Sequence, residues 1–189
     1  DEALASCDAA VAANPQAAEA YLNRGIVNRR LDRLDAALAD YERVIALQPS
    51  NHRGHDGRAR VLEAMRRLDE ALASYDQVIA LKPDLASAHI SRGLVLAEME
   101  RFDEALAASA HAATLKPNDA TAYANQGEAL RRMHRHEEAI AYYDRALALN
   151  PTHRYMPGMR LGTKLQICDW SNLDADIAQL TALVTKGVE

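Results

Sequence analysis

Five of the six prolines stand at Pro15, Pro49, Pro83, Pro117 and Pro151, so every interval is 34 residues. Each closes the same phrase: AANP, ALQP, ALKP, TLKP and ALNP. A fixed period of this length marks a chain built by repeating one supersecondary unit, and each unit can bury its apolar face only against its neighbours. The repeat is therefore what has to be read.

Aligned on the prolines, the repeats start at Ala18, His52, Ala86 and Ala120, and each splits into two helical segments. The first segment carries a bulky residue at Tyr21, His55, His89 and Tyr123. Four residues on comes a small one, at Gly25, Ala59, Gly93 and Gly127, which lets two helices approach closely. The second segment carries Ala37, Ala71, Ala105 and Ala139, followed by apolar residues at helical spacing such as Leu72, Tyr75, Val78, Ile79 and Leu81. The composition agrees: 49% of residues are hydrophobic, with only one Phe and one Trp, so most of the apolar volume is Ala, Leu, Ile and Val. Asp35, Asp69 and Asp103 sit where they would cap the second helix or favour its positive end. Pro then stops that helix, because it lacks an N–H and pushes the preceding residue out of the α region.

This unit resembles the tetratricopeptide repeat (TPR), whose pattern is matched in AYLNRGIVNRRLDRLDAALADYERVIALQP and AYANQGEALRRMHRHEEAIAYYDRALALNP. The resemblance implies an all-α fold, a right-handed superhelical solenoid of helix-turn-helix repeats over residues 1–151. A partial repeat spans 1–17 and full repeats span 18–51, 52–85, 86–119 and 120–151. The chain departs from the family at Arg24, Arg58, Arg92 and Gln126, where Leu is usual, and at Cys7 and Ser109, where an aromatic is usual. The N-terminal EALASCDAAVAANP reads as the second helix of a repeat whose first helix is missing, as if the chain were cut from something longer. In this family the concave surface binds peptides or partner proteins.

Several columns would line that surface. One reads Asn23, Gly57, Ser91, Asn125. In the TPR segments of O-linked N-acetylglucosamine transferases, an Asn there forms a ladder that hydrogen-bonds an extended peptide, and a primary amide suits the task because it both donates and accepts. With Asn at two of four rungs, ladder and solvated amide both stand as readings. Further columns read Leu22, Asp56, Ile90, Ala124 and Ile26, Arg60, Leu94, Glu128, followed by the pairs Arg29/Arg30 and Arg131/Arg132. The Arg pairs are either a solvated face or the contacts for acidic partner residues. Asn23, Ser91, Asn125, Arg29, Arg30, Arg60, Glu128, Arg131 and Arg132 are thus the candidate groove residues.

The Arg24, Arg58 and Arg92 column is read structurally, each stem packing between helices while its guanidinium reaches a carbonyl or carboxylate. His55 and His89 occupy the bulky core position, and His134 and His136 lie in a turn, so the seven His carry no metal expectation. HExxH, CxxC and glycine-rich phosphate motifs are absent from the sequence. No catalytic residue and no cofactor is assigned.

After Pro151 the text changes, with Pro157 and two glycines that do not match the repeat. Residues 152–189 read as a capping helix pair in which Tyr155, Met159, Leu161, Leu165 and Cys168 are apolar and Trp170 is the hydrophobic plug. Its second helix, with Leu173, Ile177, Leu180 and Val184 on one face, would be capped by Ser171 or Asn172. LQICDW, Leu165 to Trp170, also resembles the junction at which repeats hand over to the glycosyltransferase domain in the O-linked N-acetylglucosamine transferase family, with Pro157-Gly158 a familiar pair upstream. That resemblance implies a following UDP-sugar-dependent domain after Glu189.

The net charge is −5, from 22 basic and 27 acidic residues with no basic block. Nothing in it favours nucleic acid or an anionic membrane as partner. No stretch approaches the roughly 18 apolar residues of a membrane span, and Cys7 and Cys168 are too sparse for a disulfide framework. The chain is expected to be a cytoplasmic, non-catalytic scaffold with protein or peptide partners. A stand-alone adaptor, or a homo-oligomer formed through the exposed apolar face of the partial repeat, is the alternative.

Overall fold

The computed structural model describes residues 2–153 and 155–186, so the extreme ends of the partial repeat and of the 152–189 segment, Asp1 and residues 187–189, lie outside the described residues. The described residues form helices and no strand. They are α1 (Glu2–Ala13), then the hairpins α2 (Ala18–Arg30) with α3 (Leu34–Leu47), and α4 (His52–Ala64) with α5 (Leu68–Leu81). There follow α6 (Ala86–Glu98), α7 (Phe102–Leu115), α8 (Ala120–Arg132), α9 (His136–Leu149), α10 (Met156–Gln166) and α11 (Leu173–Lys186). The fold is the all-α helix-turn-helix repeat that the proline ladder predicts.

The residues before the prolines leave the helix as the steric rule requires. Gln48, Lys82, Lys116 and Asn150 have φ between −142° and −138°. The turn inside each hairpin is equally regular. The N–H groups of Arg33, Arg67, Arg101, Arg135 and Asp169 each donate at 2.9 Å to the carbonyls of Asn28, Leu62, Leu96, Leu130 and Lys164. Between them, Asp32, Arg66, Glu100, His134 and Cys168 take the left-handed conformation, with φ from 56° to 61°. This is the Schellman closure of a helix C-terminus, made here five times without a glycine.

The first acids of the second helices do not cap them. The N-cap residues Arg33, Arg67, Arg101 and Arg135 make no side-chain cap bond. Asp35, Asp69 and Asp103 lie within the first turn, where they favour the positive end of the helix electrostatically. Arg67 and Glu70, Arg101 and Glu104, and Arg135 and Glu138 pair at 2.7 Å across the same turn.

Packing divides the chain inside α6, one compact unit running to Val95 and a second starting at Leu96. In the first, Ala18, Leu22, Ala37, Tyr41, Val44 and Val61 form a buried cluster. Tyr41 is seated on two glycines: a Cβ on Gly25 would stand 3.1 Å from its ring and one on Gly57 only 2.2 Å. His55 and His89 turn Nε2 to the carbonyls of Pro49 and Pro83 at 2.9 Å, as the Tyr21 hydroxyl donates to Pro15 at 3.3 Å. The bulky position thus ties α2, α4 and α6 to the proline turn before each, whereas Tyr123 on α8 has the Arg145 guanidinium over its ring, 4.5 Å from the centroid.

In the second unit, Tyr123, Leu130, Ala139, Tyr143, Ala146 and Met156 form the core. Met156 belongs to α10, which packs on α9. The period therefore continues past Pro151: Cys168 holds the left-handed place that recurs every 34 residues, and Pro157 is tolerated in the first turn of α10. The expected plug is not formed. Trp170 is 61% exposed, and Tyr155, Leu165, Ile177 and Val184 are exposed as well. Ser171 and Asn172 contribute backbone atoms, the Asn172 carbonyl accepting from Asp176 N–H at 3.0 Å. A charged network joins α11 to α10: Lys164, 2% exposed, donates to Asp176 Oδ2 at 2.9 Å and to the Ser171 carbonyl, and Arg160 donates to Asp176 Oδ1 at 2.6 Å.

The Arg column does what its chemistry allows. Arg24 reaches back sixteen residues to Asp8 at 3.0 Å and forward sixteen to Asp40 at 2.6 Å. Arg58 reaches Glu42 at 3.5 Å and Ser74 Oγ at 2.6 Å, and Arg92 reaches Asp76 at 2.7 Å. Arg160 extends the column to Asp144 and Asp176. Gln126 interrupts it, donating to the Ala122 carbonyl of its own helix.

Candidate functional site

Between α2 and α4 of the first unit lies a cavity of about 310 Å³. α2 contributes Leu22, Ile26, Arg29 and Arg30 to its wall, residues that follow one another at helical spacing. α4 contributes Arg53, Asp56, Gly57 and Arg60, and the Tyr41 ring from α3 lies against Gly57. Glycine at this column, where an Asn rung was one reading, leaves the place to an aromatic.

Its charges are unevenly partnered. Arg60 donates to Asp56 at 2.8 Å, and Arg53 to Glu19 at 3.1 Å. Arg29 lies beside the Tyr41 hydroxyl, while its buried Nε has no hydrogen-bond partner. No ion pair joins Arg29 or Arg30 to an acid among the described residues. Burial pushes the Tyr41 hydroxyl up, and the neighbouring Arg29 opposes that shift. The site thus holds cationic donors above an apolar floor.

The remaining groove candidates are placed differently. Asn23 is exposed on α2. Ser91 on α6 lies against the Tyr75 hydroxyl, which itself donates to Glu63 at 3.0 Å. Asn125 on α8 is half-buried, with Nδ2 buried and unpartnered. On the same helix, Glu128 takes Arg131 at 2.6 Å and the Tyr143 hydroxyl at 3.1 Å. Arg132 stacks 4.9 Å from the Phe102 ring centroid and lies 3.6 Å from Glu100. Arg53 and Tyr41 were not singled out from sequence. Arg53 stands 34 residues after Glu19, its partner, so the period itself carried that signal.

Residue size is balanced between columns sixteen residues apart. Tyr41 is opposite Gly57 and Tyr75 opposite Ser91, whereas sixteen residues before Asn125 stands Ser109, buried with an unpartnered Oγ. A smaller residue in the core helix accompanies a larger one in the groove column.

Repeated hairpins presenting such columns define a helical-repeat protein. The chain belongs to the tetratricopeptide-repeat family: models of that repeat match residues 18–51, 120–153 and 66–100, together more than half its length. No curated protein matches it in sequence. Among solved structures it is similar to MamA residues 41 to end from Desulfovibrio magneticus RS-1, at 19% identity and TM-score 0.81, over 89% of this chain and 96% of that one. It is similar to YrrB, described as a TPR protein with an unusual peptide-binding site, at 19% identity and TM-score 0.73, over 94% and 91%. It is also similar to TTC0263, a thermophilic TPR protein of Thermus thermophilus, at 24% identity and TM-score 0.70, over 86% and 89%. At these identities the likeness shows the fold. Among the described residues no helix is long and apolar enough to cross a membrane.

Proposed function

We propose that the chain is a non-catalytic, cytoplasmic TPR scaffold that binds extended protein segments, with contacts on α2 and α4 in the first unit and on α8 in the second. The observation that carries this reading is the cavity between α2 and α4, where Arg29 Nε is buried without a partner and apolar side chains adjoin it. An unpartnered buried donor is costly unless something completes it. Asn125, with its amide nitrogen in the same condition, supports a contact on α8. YrrB's peptide-binding site supports the class of ligand by likeness of fold.

The test is peptide selection with the purified chain, followed by titration of the selected peptides against an Asn23→Ala, Asn125→Ala variant. The reading predicts selected peptides whose affinity falls in that variant at unchanged helical content. Failure to select any peptide sinks the reading, and unchanged affinity removes the amide rungs from it.

A second reading is favoured by one stretch, Leu165 to Trp170, which resembles the repeat-to-transferase junction of O-linked N-acetylglucosamine transferases. The exposed Leu165, Trp170 and Ile177 fit a surface on which further protein packs. The comparisons with known proteins add nothing to it. Measuring the mass of the protein in its own cells separates this reading from a stand-alone adaptor, and light scattering over a concentration series tests self-association.

A further inference from the structure

The cavity between α2 and α4 has a polarity that the chain as a whole does not. Four arginines and one aspartate line it, in a protein whose net charge is −5. Two of those arginines are engaged: Arg60 with Asp56 and Arg53 with Glu19. The other two, Arg29 and Arg30, are adjacent on the last turn of α2 and have no acid partner among the described residues. Beside them Ile26 is half-buried and Leu22 is 2% exposed, so the apolar approach to the guanidinium groups is chiefly the Ile26 side chain.

We infer, resting on the peptide-binding reading above, that this cavity receives a glutamate side chain from within the bound partner segment, and so sets the specificity of the first unit. A glutamate fits both halves of the site. Its carboxylate accepts from Arg29, whose Nε would gain the partner it lacks, and from Arg30, and a guanidinium offers a carboxylate two parallel donors. Its methylene stem lies along the half-buried Ile26. A phosphate on a short serine side chain would satisfy the charge but leave the apolar approach uncovered.

Uncommitted charge is what sets this cavity apart. Arg131, at the equivalent column on α8, is excluded by the same criterion, because Glu128 already holds it at 2.6 Å. Specificity for an acidic residue thus belongs to α2 and not to its counterpart, although both helices end in Arg-Arg.

The experiment is selection from a degenerate 12-residue peptide library, acetylated and C-terminally amidated so that no terminal carboxylate competes, with phosphoserine included as a building block. The full chain is used as wild type, Arg29→Gln, Arg30→Gln and, as a control of equal charge change on an exposed residue outside the cavity, Lys82→Gln. Wild type and Lys82→Gln should enrich glutamate at one position, and either Arg variant should abolish that enrichment. For one selected peptide, changing that glutamate to glutamine should weaken binding about tenfold, the effect of about 1.4 kcal/mol, and should have little further effect in Arg30→Gln. Because Arg30 is exposed, its variant tests the site without threatening the fold. Peptides without acidic enrichment, phosphoserine enriched above glutamate, or glutamate enrichment that survives both Arg substitutions would each overturn the inference while leaving peptide binding standing. If no peptide is selected, both fall.

Discussion

Arg160 donates to Asp176 at 2.6 Å across sixteen residues, the same separation and distance at which Arg24 donates to Asp40. The likeness extends one turn further. Lys164 meets Asp176 twelve residues ahead at 2.9 Å, as Asn28 meets Asp40 at 2.9 Å. The α10–α11 pair is thus one more copy of the hairpin, with a lysine where the earlier copy has an amide. An ammonium brought to 2% exposure loses its hydration, and the oxygens of Asp176 and Ser171 replace it only while Asp176 is present. Asp176→Ala should therefore cost about 3 kcal/mol of α11 stability, read as faster amide hydrogen exchange between 173 and 186. Lys164→Met combined with Asp176→Leu should recover most of the loss. If the double variant is as weak as the single one, the network does not hold the helix.

The same aspartate gives the hairpin an acid limit. Burial opposes the charge of Asp176, but hydrogen bonds from Lys164 and Arg160 overcome it and hold the carboxyl below its ordinary range. A carboxyl with a depressed folded pKa contributes stability that is complete above its unfolded value, about 3.9, and is lost as the pH falls through the folded value. Trp170, the only tryptophan, lies in the α10–α11 turn and reports on it. Its fluorescence should be flat from neutral pH to about 4 and change below. Asp176→Asn should already show the altered signal at neutral pH, with a weaker acid transition.

The repeat boundaries were legible because proline and its preceding residue act through local sterics, which do not depend on what packs nearby. The His55 and His89 positions were legible for the same reason, being fixed by the period. The continuation past Pro151 was not. Leu161 stands where the earlier repeats have Gly25, Ala59, Gly93 and Gly127, and Pro157 looks like a breaker unless it is known to lie in a first turn. The hairpin turns were also silent, since left-handed residues as different as Asp32, Arg66 and Cys168 carry no glycine signal. The cavity was only half visible: Arg29, Arg30 and Arg60 could be singled out by column, but Tyr41 enters from the neighbouring helix and needed Gly57 to admit it. Arg132 resembled Arg131 in sequence and differs in structure because Phe102 is within reach of its guanidinium.

The interrupted Arg column can be tested from both sides. Arg58 is half-buried and bonds Ser74, so Arg58→Ala should destabilise the first unit by about 1–2 kcal/mol and leave peptide affinity of the folded protein unchanged. In the second unit, Gln126→Arg with Ala110→Asp would install the missing sixteen-residue pair and should add about 0.5 kcal/mol. Lost peptide binding in a fully folded Arg58→Ala protein would show that the column contacts ligand after all.

Gly57→Ala should be far more costly than its size implies, because the new Cβ would stand 2.2 Å from the Tyr41 ring. A buried ring cannot move without opening the cluster of Leu22, Val44 and Val61, and overpacking of this kind costs about 1–3 kcal/mol. The same Cβ also narrows the cavity, so affinity for a selected peptide should fall together with melting temperature.

Cys168→Gly should raise stability. Cys168 has φ 56°, a conformation that costs an L-residue about 1–2 kcal/mol and glycine almost nothing. Part of that gain is returned, because glycine also loses more backbone freedom on folding, which leaves a net gain of about 0.5–1 kcal/mol. Calorimetry should show the melting temperature of the variant rising, with slower hydrogen exchange at Asp169 N–H, which donates to the Lys164 carbonyl at 2.9 Å. Cys168→Val is the opposing control, since a β-branched residue is disfavoured at positive φ and should lower stability. If glycine and valine behaved alike, the turn at Cys168 would not be the left-handed closure that the four earlier hairpins share.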